Sequence, residues 1–347
     1  MVQDVLSPAT DRARATLLCL AAGDALGMPS QTLPREVIRA RYGRITTFVA
    51  PFADHPVSHG LRAGQVTDDT EQTLLLAHRL LAAPDRFDAR GWSRDLLAWE
   101  RDVRARGLRD LLGPSSRAAL DAMLAGTPVS ETGRNGTTNG AAMRIAPAGI
   151  ATPHGDVGRL VDHVTETCQV THNTGEAIAA AAAVAMVVSL GIDGASFEQA
   201  VPRALQAAML GQKRGHATGH GDVAGRIRAA LDLAASGATE EVFAATVGTS
   251  VASAQSVAAA FGLVRMAGGA PWGAALIAAN IGDDTDTIGA IAGAMAGACC
   301  GSQGVPPEVR ATLMAENCLP IDALAADLVA LRMRRGAAPG FPAESAS

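Results

Sequence analysis

The sequence predicts an all-α protein, a single compact multi-helix domain, on three observations. The periodic segments are long and rich in Ala and Leu, which lose little side-chain freedom in a helix. β-Branched residues seldom alternate with polar ones, as a half-buried strand requires. Finally, 48% of the 347 residues are hydrophobic, and no linker or low-complexity run interrupts the interior of the chain. A chain of that length buries roughly three quarters of its extended surface, so a large core needs neither disulfides nor a structural metal.

Taken in order, helices are expected over about 10–26, 69–82, 92–105, 115–125, 156–169, 175–190, 197–210, 222–235, 251–267, 271–280, 287–300 and 321–334. The first reaches its apolar run, Leu17 to Leu20, only after alternating Asp and Arg, a pattern that lacks a secretory signal. Between Gly27 and Val66, Pro29, Pro34, Gly43, Pro51, Pro56, Gly60 and Gly64 break helices, making this the longest candidate loop and a candidate for function. Ala177 to Leu190 is the longest apolar segment; it falls short of the roughly 20 residues a bilayer demands and reads as a helix at the centre of a soluble protein. Gly289, Gly293 and Gly297 recur every fourth residue and share one helix face, which lets another helix approach closely. The domain is expected to span 1–335, and the Gly-, Ala-, Pro- and Ser-rich tail from Gly336 to Ser347 to be disordered.

Charge and cysteine usage narrow the functional classes. With 29 basic and 34 acidic residues the net charge is −5, and the longest basic cluster is Arg332, Arg334 and Arg335, so nucleic acid is not an expected partner. Cys19, Cys168, Cys299, Cys300 and Cys318 form no CxxC pair and read as reduced thiols of a cytoplasmic protein. There is no Gly-x-Ser-x-Gly elbow and no His spacing suited to zinc, so neither covalent nor zinc catalysis is indicated.

The chemistry concentrates in two acidic clusters, Thr67-Asp68-Asp69-Thr70-Glu71 and Asp283-Asp284-Thr285-Asp286-Thr287, each just ahead of a helix. One Thr or Asp would serve as an N-cap. Capping leaves the other carboxylates repelling one another, and a cation removes that repulsion. Carboxylate and hydroxyl oxygens without His or Cys suit Mg²⁺, Mn²⁺ or Ca²⁺, and neither cluster matches an EF-hand. The two helix N-termini are therefore expected to converge on one site, where five carboxylates could hold two ions. Gly133-Arg134-Asn135-Gly136-Thr137-Thr138-Asn139-Gly140 is a small polar loop able to cradle phosphate or ribose hydroxyls, or else an ordinary connection. His172 precedes the Ala-rich helix, with Asn173 or Thr174 available as its cap.

Gly23-Asp24-Ala25-Leu26-Gly27, Thr67-Asp68-Asp69-Thr70, Asn139-Gly140-Ala141-Ala142-Met143-Arg144, Thr171-His172 and Gly282-Asp283-Asp284-Thr285-Asp286-Thr287 resemble, in order, the motifs of the ADP-ribosylglycohydrolase family. The resemblance implies an all-helical domain with a metal-lined cleft holding two divalent cations, Mg²⁺ or Mn²⁺. It implies Thr67, Asp68, Asp69, Asp284, Asp286 and Thr287 as metal ligands, and Asp68 or Asp69 as the group orienting a metal-activated water. It further implies substrate contacts from Asn135, Gly136, Thr137, Asn139, Gly140 and His172. The implied activity is hydrolysis of the C1 N- or O-glycosidic bond of an ADP-ribosyl or related nucleoside substrate, free or on a protein; a binding protein of the same fold with weak or no turnover is the alternative. The chain departs from the family pattern twice. Gln31 stands where many relatives carry a glutamate, and Asp283 stands at the second glycine of Gly-Gly-Asp-x-Asp-Thr, which adds charge and questions the local backbone.

Overall fold

Each long apolar-periodic segment forms a helix with an identifiable start. Ser7, Thr67, Asp88, Asp156, Thr174, Ser196, Asp222 and Thr239 each accept a first-turn amide at a helix N-terminus, where those amides lack partners. The computed structural model describes residues 7–108, 112–219, 221–301 and 304–337. Its helices are α1 (Pro8–Gly27), α2 (Arg35–Tyr42), α3 (Asp68–Ala82), α4 (Ala89–Ala105), α5 (Pro114–Leu124), α6 (Val129–Thr132), α7 (Gly140–Met143), α8 (Ala146–Ala151), α9 (Val157–Cys168), α10 (Gly175–Ile192), α11 (Phe197–Gly211), α12 (Val223–Ala235), α13 (Glu240–Val247), α14 (Ser253–Met266), α15 (Pro271–Ile281), α16 (Thr285–Cys300), α17 (Pro307–Glu316) and α18 (Ile321–Ala337). Among the described residues the only β pairing is three isolated bridges.

All twelve expected helices are present, with ends displaced by at most a few residues. Two corrections concern the flanks. The Gly27–Val66 stretch is interrupted by α2, which is mostly charged and buries only Ile38, so it carries little apolar periodicity. Helix α18 runs on through Gly336 to Ala337; the rest of the expected tail, 338–347, lies outside the described residues. None of the five cysteines is bridged.

Helix α10 is long and apolar enough to cross a bilayer by composition, yet every one of its residues is buried inside the protein. It lies among α8, α9, α11, α14 and α16. Its Ala-rich surface keeps these neighbours close, so the core is dense rather than bulky.

The tightest pairing joins α1 to α16. A Cβ on Gly23 would lie 2.1 Å from Gly289 O, one on Gly293 2.2 Å from Cys19 O and one on Gly297 2.6 Å from Ala15 O. The pairs run in opposite directions along the two helices, so they are antiparallel. The C-terminus of α1, with Asp24, therefore meets the N-terminus of α16, with Asp284 to Thr287. The expected close approach along the glycine face is what places these two motifs side by side.

Candidate active site

Helix α3 begins against a buried carboxylate. Asp24 is fully buried and accepts from Thr67 N (3.0 Å), Thr67 Oγ1 (2.8 Å), Thr70 N (3.1 Å) and Thr70 Oγ1 (2.5 Å). A negative charge at a helix N-terminus is favoured by the exposed amides and the helix dipole. Asp24 thus fixes the turn carrying Asp68 and Asp69. Burial pushes its carboxyl up to about 6, against the downward pull of these hydrogen bonds. The sequence motif contains Asp24 without assigning it a role; the available signal is an Asp set in the apolar C-terminal part of α1, after residues 15–23.

Thr67 has one hydroxyl hydrogen, and the 2.8 Å bond to Asp24 takes it rather than the 3.2 Å contact with Asp69 Oδ2. Asp69 is then left with a long 3.5 Å contact from Thr287 Oγ1, while its Oδ1 is buried without a partner. Asp286 Oδ1 is buried and unpartnered as well. Asp284 occupies the N-cap position of α16 but its side chain makes no cap bond; its Oδ2 accepts from Asn139 Nδ2 at 2.5 Å. Burial, and then mutual repulsion, holds Asp68, Asp69 and Asp286 well above the usual carboxylate range, and burial pushes Asp284 up to about 7.

The two acidic clusters do converge, but not with every member. Glu71 turns away to Trp99 Nε1 and Arg106, at 2.7 and 2.8 Å. Asp283 is exposed, with φ of 65°, the left-handed backbone that a glycine would adopt freely. Its backbone pairs with Thr32 and Leu33 at 2.6 and 2.9 Å, so the turn is held from outside. The substitution leaves the turn intact and adds a charge that Asp284 feels from the solvent side. Asp24 takes the place these two vacate, so the cluster comprises Asp24, Asp68, Asp69, Asp284 and Asp286.

Above the cluster lies a cavity of about 180 Å³, lined by Gln31, Asp68, Thr138, Asn139, Gly140, Asp284, Asp286 and Thr287 among others. Of the expected substrate residues, Asn139 and Gly140 line it and the rest do not. Asn135 is exposed and is not among the residues lining the cavity. Gly136 is buried where a Cβ would sit 2.1 Å from Thr171 O, so its role is to let two backbones touch. Thr137 faces a neighbouring hollow with Glu176, Arg226 and Gln255. His172 is fully buried, with Nε2 3.0 Å from Thr138 Oγ1 and Nδ1 2.7 Å from Thr171 Oγ1. Burial, reinforced by Arg144, keeps its imidazole well below the usual range and therefore neutral. Arg144 is also buried, donates to Gln72 Oε1 and Thr171 Oγ1 at 2.6 Å each, and stacks 5.3 Å from the Trp92 ring.

As they stand, no three His, Cys, Asp or Glu side chains among the described residues form a ready-made cage for an ion. The donor set nevertheless fits a hard cation. Orphaned buried carboxylate oxygens cost several kcal/mol each unless neutralised, and Asp69 Oδ1 and Asp286 Oδ1 are two such atoms in one carboxylate cluster, with Asp286 lining the cavity. The hydroxyls of Thr67 and Thr287 beside them complete an all-oxygen set.

Carboxylates brought from two helix N-termini to one cavity, in an all-helical domain, form the kind of donor set that a glycoside-cleaving hydrolase uses. The family model described as ADP-ribosylglycohydrolase matches residues 6–338, and the chain belongs to that family. It is 34% identical over 333 residues to an uncharacterized protein, YegU, of Escherichia coli (strain K12), covering 94% of this chain and 99% of that one. It is 28% identical over 312 residues to the ADP-ribosylarginine hydrolase Tri1 of Pseudomonas putida (strain GB-1), covering 86% and 73%. A solved ADP-ribosylglycohydrolase-related protein complex aligns with a TM-score of 0.70 and 26% identity, over 94% of this chain and 100% of that one.

Proposed function

We propose that this protein is a divalent-metal-dependent hydrolase that cleaves the C1–N glycosidic bond of an ADP-ribosyl group linked to arginine, free or on a protein. The observation that carries the reading is the pair of unpartnered buried oxygens, Asp69 Oδ1 and Asp286 Oδ1, in the carboxylate cluster of which Asp286 lines the cavity. The name of the Pseudomonas relative supports arginine as the leaving group. At about 180 Å³ the cavity is smaller than the 300–1,000 Å³ of pockets enclosing a drug-sized ligand, which favours enclosing the ribose while the nucleotide extends over the rim.

Thr67, Asp68, Asp69, Asp284, Asp286 and Thr287 would hold the cations, Mg²⁺ or Mn²⁺. When bound, such ions supply Lewis acidity toward ribose hydroxyls and lower the pKa of water. Asp68 lines the cavity with its Oδ2 held by Gln72 Nε2 at 3.4 Å, and its carboxylate accepts a proton from the attacking water. The remaining carboxylates stabilise positive charge developing on the ribose as the C1 bond breaks. Asn139, tied to Asp284, holds the cavity wall in register with the acidic floor.

Gln31 favours a second reading, a binding protein with little turnover, because an amide cannot take a proton. A turnover screen separates the two. ADP-ribosyl-arginine, an ADP-ribosyl-serine peptide, O-acetyl-ADP-ribose and a panel of nucleosides would each be offered with Mg²⁺, Mn²⁺ or EDTA. Metal-dependent release of ADP-ribose from the arginine conjugate is expected. Binding of ADP-ribose without release from any substrate would transfer the assignment to the second reading.

A further inference from the structure

The buried polar side chains behind the cavity wall form a chain whose donor sense can be worked out atom by atom. Arg144 only donates, so Gln72 presents Oε1 to it and turns Nε2 toward Asp68 Oδ2 at 3.4 Å. On its other side Arg144 donates to Thr171 Oγ1 at 2.6 Å. Thr171 is fully buried and has a single hydroxyl hydrogen, and its other neighbour is His172 Nδ1 at 2.7 Å. Directing that hydrogen to Nδ1 gives it an acceptor, whereas the opposite sense would leave the buried Thr171 hydroxyl hydrogen with none. The one proton of the neutral imidazole then sits on Nε2, which donates to Thr138 Oγ1 at 3.0 Å.

We propose that Thr138 is a specificity-determining residue, committed by this chain to present its hydroxyl hydrogen to the cavity as a donor to a substrate oxygen. Thr138 lines the cavity, accepts from His172 and has its own hydrogen left over. The assignment rests on the proposed function for the identity of the ligand, an ADP-ribosyl group, whose ribose hydroxyl or phosphate oxygens are the acceptors. His172 is thereby a positioning residue, its influence reaching the cavity through Thr138 and not by contact. Arg144, a buried cation, polarises the chain toward both walls of the cavity, toward Asp68 through Gln72 and toward Thr138 through Thr171 and His172. Free rotation of an ordinary threonine hydroxyl would let it donate or accept; here one of those options is closed.

Two measurements on the full chain test this. Nitrogen-15 spectra of histidine-labelled protein should show His172 with a bare Nδ1 and a protonated Nε2, and Thr171→Val, which removes the hydroxyl hydrogen, should shift the population toward the other tautomer. Protonated Nδ1 in the unsubstituted protein would overturn the assignment outright. Calorimetry with ADP-ribose in the presence of Mg²⁺ should show Thr138→Ala weakened roughly tenfold, the worth of a net hydrogen bond, and Thr138→Ser close to the parent. Equal affinity in Thr138→Ala, with the parent binding, would also overturn it. Failure of the parent to bind ADP-ribose would sink the proposed function, leaving the chain's direction to be judged on the histidine spectra.

Discussion

Removing or supplying a divalent cation should change stability by an amount that grows with pH, and the carboxylate cluster sets its size. Asp284 is held at about 7 and Asp24 at about 6, against 3.8 for an ordinary aspartate, and Asp68, Asp69 and Asp286 are raised as well. A carboxyl raised in the folded state binds more protons folded than unfolded. Its stabilisation is complete below the unfolded value near 4 and is lost as pH rises through 6 to 7. His55, His163 and His172, pushed down chiefly by burial, act in the opposite sense as pH falls below 6.5. Their contribution is common to the metal-free and metal-loaded protein and cancels in the difference. A bound cation displaces the protons that metal-free carboxyls retain, and each displaced proton is worth about 1.4 kcal/mol per pH unit. From Asp284 alone, which is half ionised by pH 7, the stabilisation by saturating Mn²⁺ should increase by about 2 kcal/mol between pH 5 and pH 7. Mn²⁺ affinity should correspondingly tighten roughly 50-fold over that interval. Urea unfolding followed by circular dichroism, with Mn²⁺ and with EDTA at each pH, reads the first quantity, and calorimetry the second. A metal-induced stabilisation that is flat or shrinks from pH 5 to pH 7 would refute the view that these carboxyls share protons until a cation replaces them.

Three substitutions probe the same architecture. Asp286→Asn should abolish Mn²⁺ binding and turnover yet raise stability in EDTA by roughly 1 to 3 kcal/mol at a pH high enough to ionise the metal-free cluster, where it removes a buried like charge; a variant that keeps Mn²⁺ affinity would remove the ion from this site. Gln31→Glu should tighten Mn²⁺ binding and cost about 1 to 3 kcal/mol of metal-free stability. Ser58 gives its hydrogen to Met28 O at 2.8 Å and accepts from Gln31 Nε2 at 2.9 Å, so a carboxylate there meets a lone pair, and unchanged urea midpoints would show that Ser58 turns freely. Gly23→Ala should destabilise by about 3 kcal/mol, because its Cβ would lie 2.1 Å from Gly289 O with backbone on both sides; a near-neutral effect in urea unfolding would mean that α1 and α16 are less tightly seated.

Much of this was legible in the sequence, and the parts that were not share a cause. Long helices announce themselves through apolar periodicity and capping residues, and all twelve were read. Helix α13 buries only Phe243 and α17 only Val309 and Leu313, too few for a period to stand out, and both went unread. The convergence of the two acidic clusters followed from repulsion that nothing local relieves. Membership of the cluster did not follow from local pattern, because it is decided by where side chains point after α1 and α16 pair. Glu71 finds Arg106 instead, and Asp24, set in the apolar C-terminal part of α1, turns out to anchor α3. His172 shows the same limit: its motif marked it for the substrate, yet packing sets it one hydroxyl behind the cavity surface.

The antiparallel seam between α1 and α16 also governs when this protein can begin to work. Thr285 Oγ1 donates to Gly27 O across 258 residues of chain at 2.8 Å, so the acidic floor is assembled from segments far apart in the sequence. At a synthesis rate of 5–20 residues per second, α1 waits roughly 13 to 50 s for its partner to emerge. During that interval its glycine-marked face has no mate and Asp24 has only half of its surroundings. A ribosome-bound fragment ending before residue 285 therefore lacks Asp286 and Thr287 altogether, and appearance of the activity times the moment at which the first helix and the sixteenth have met.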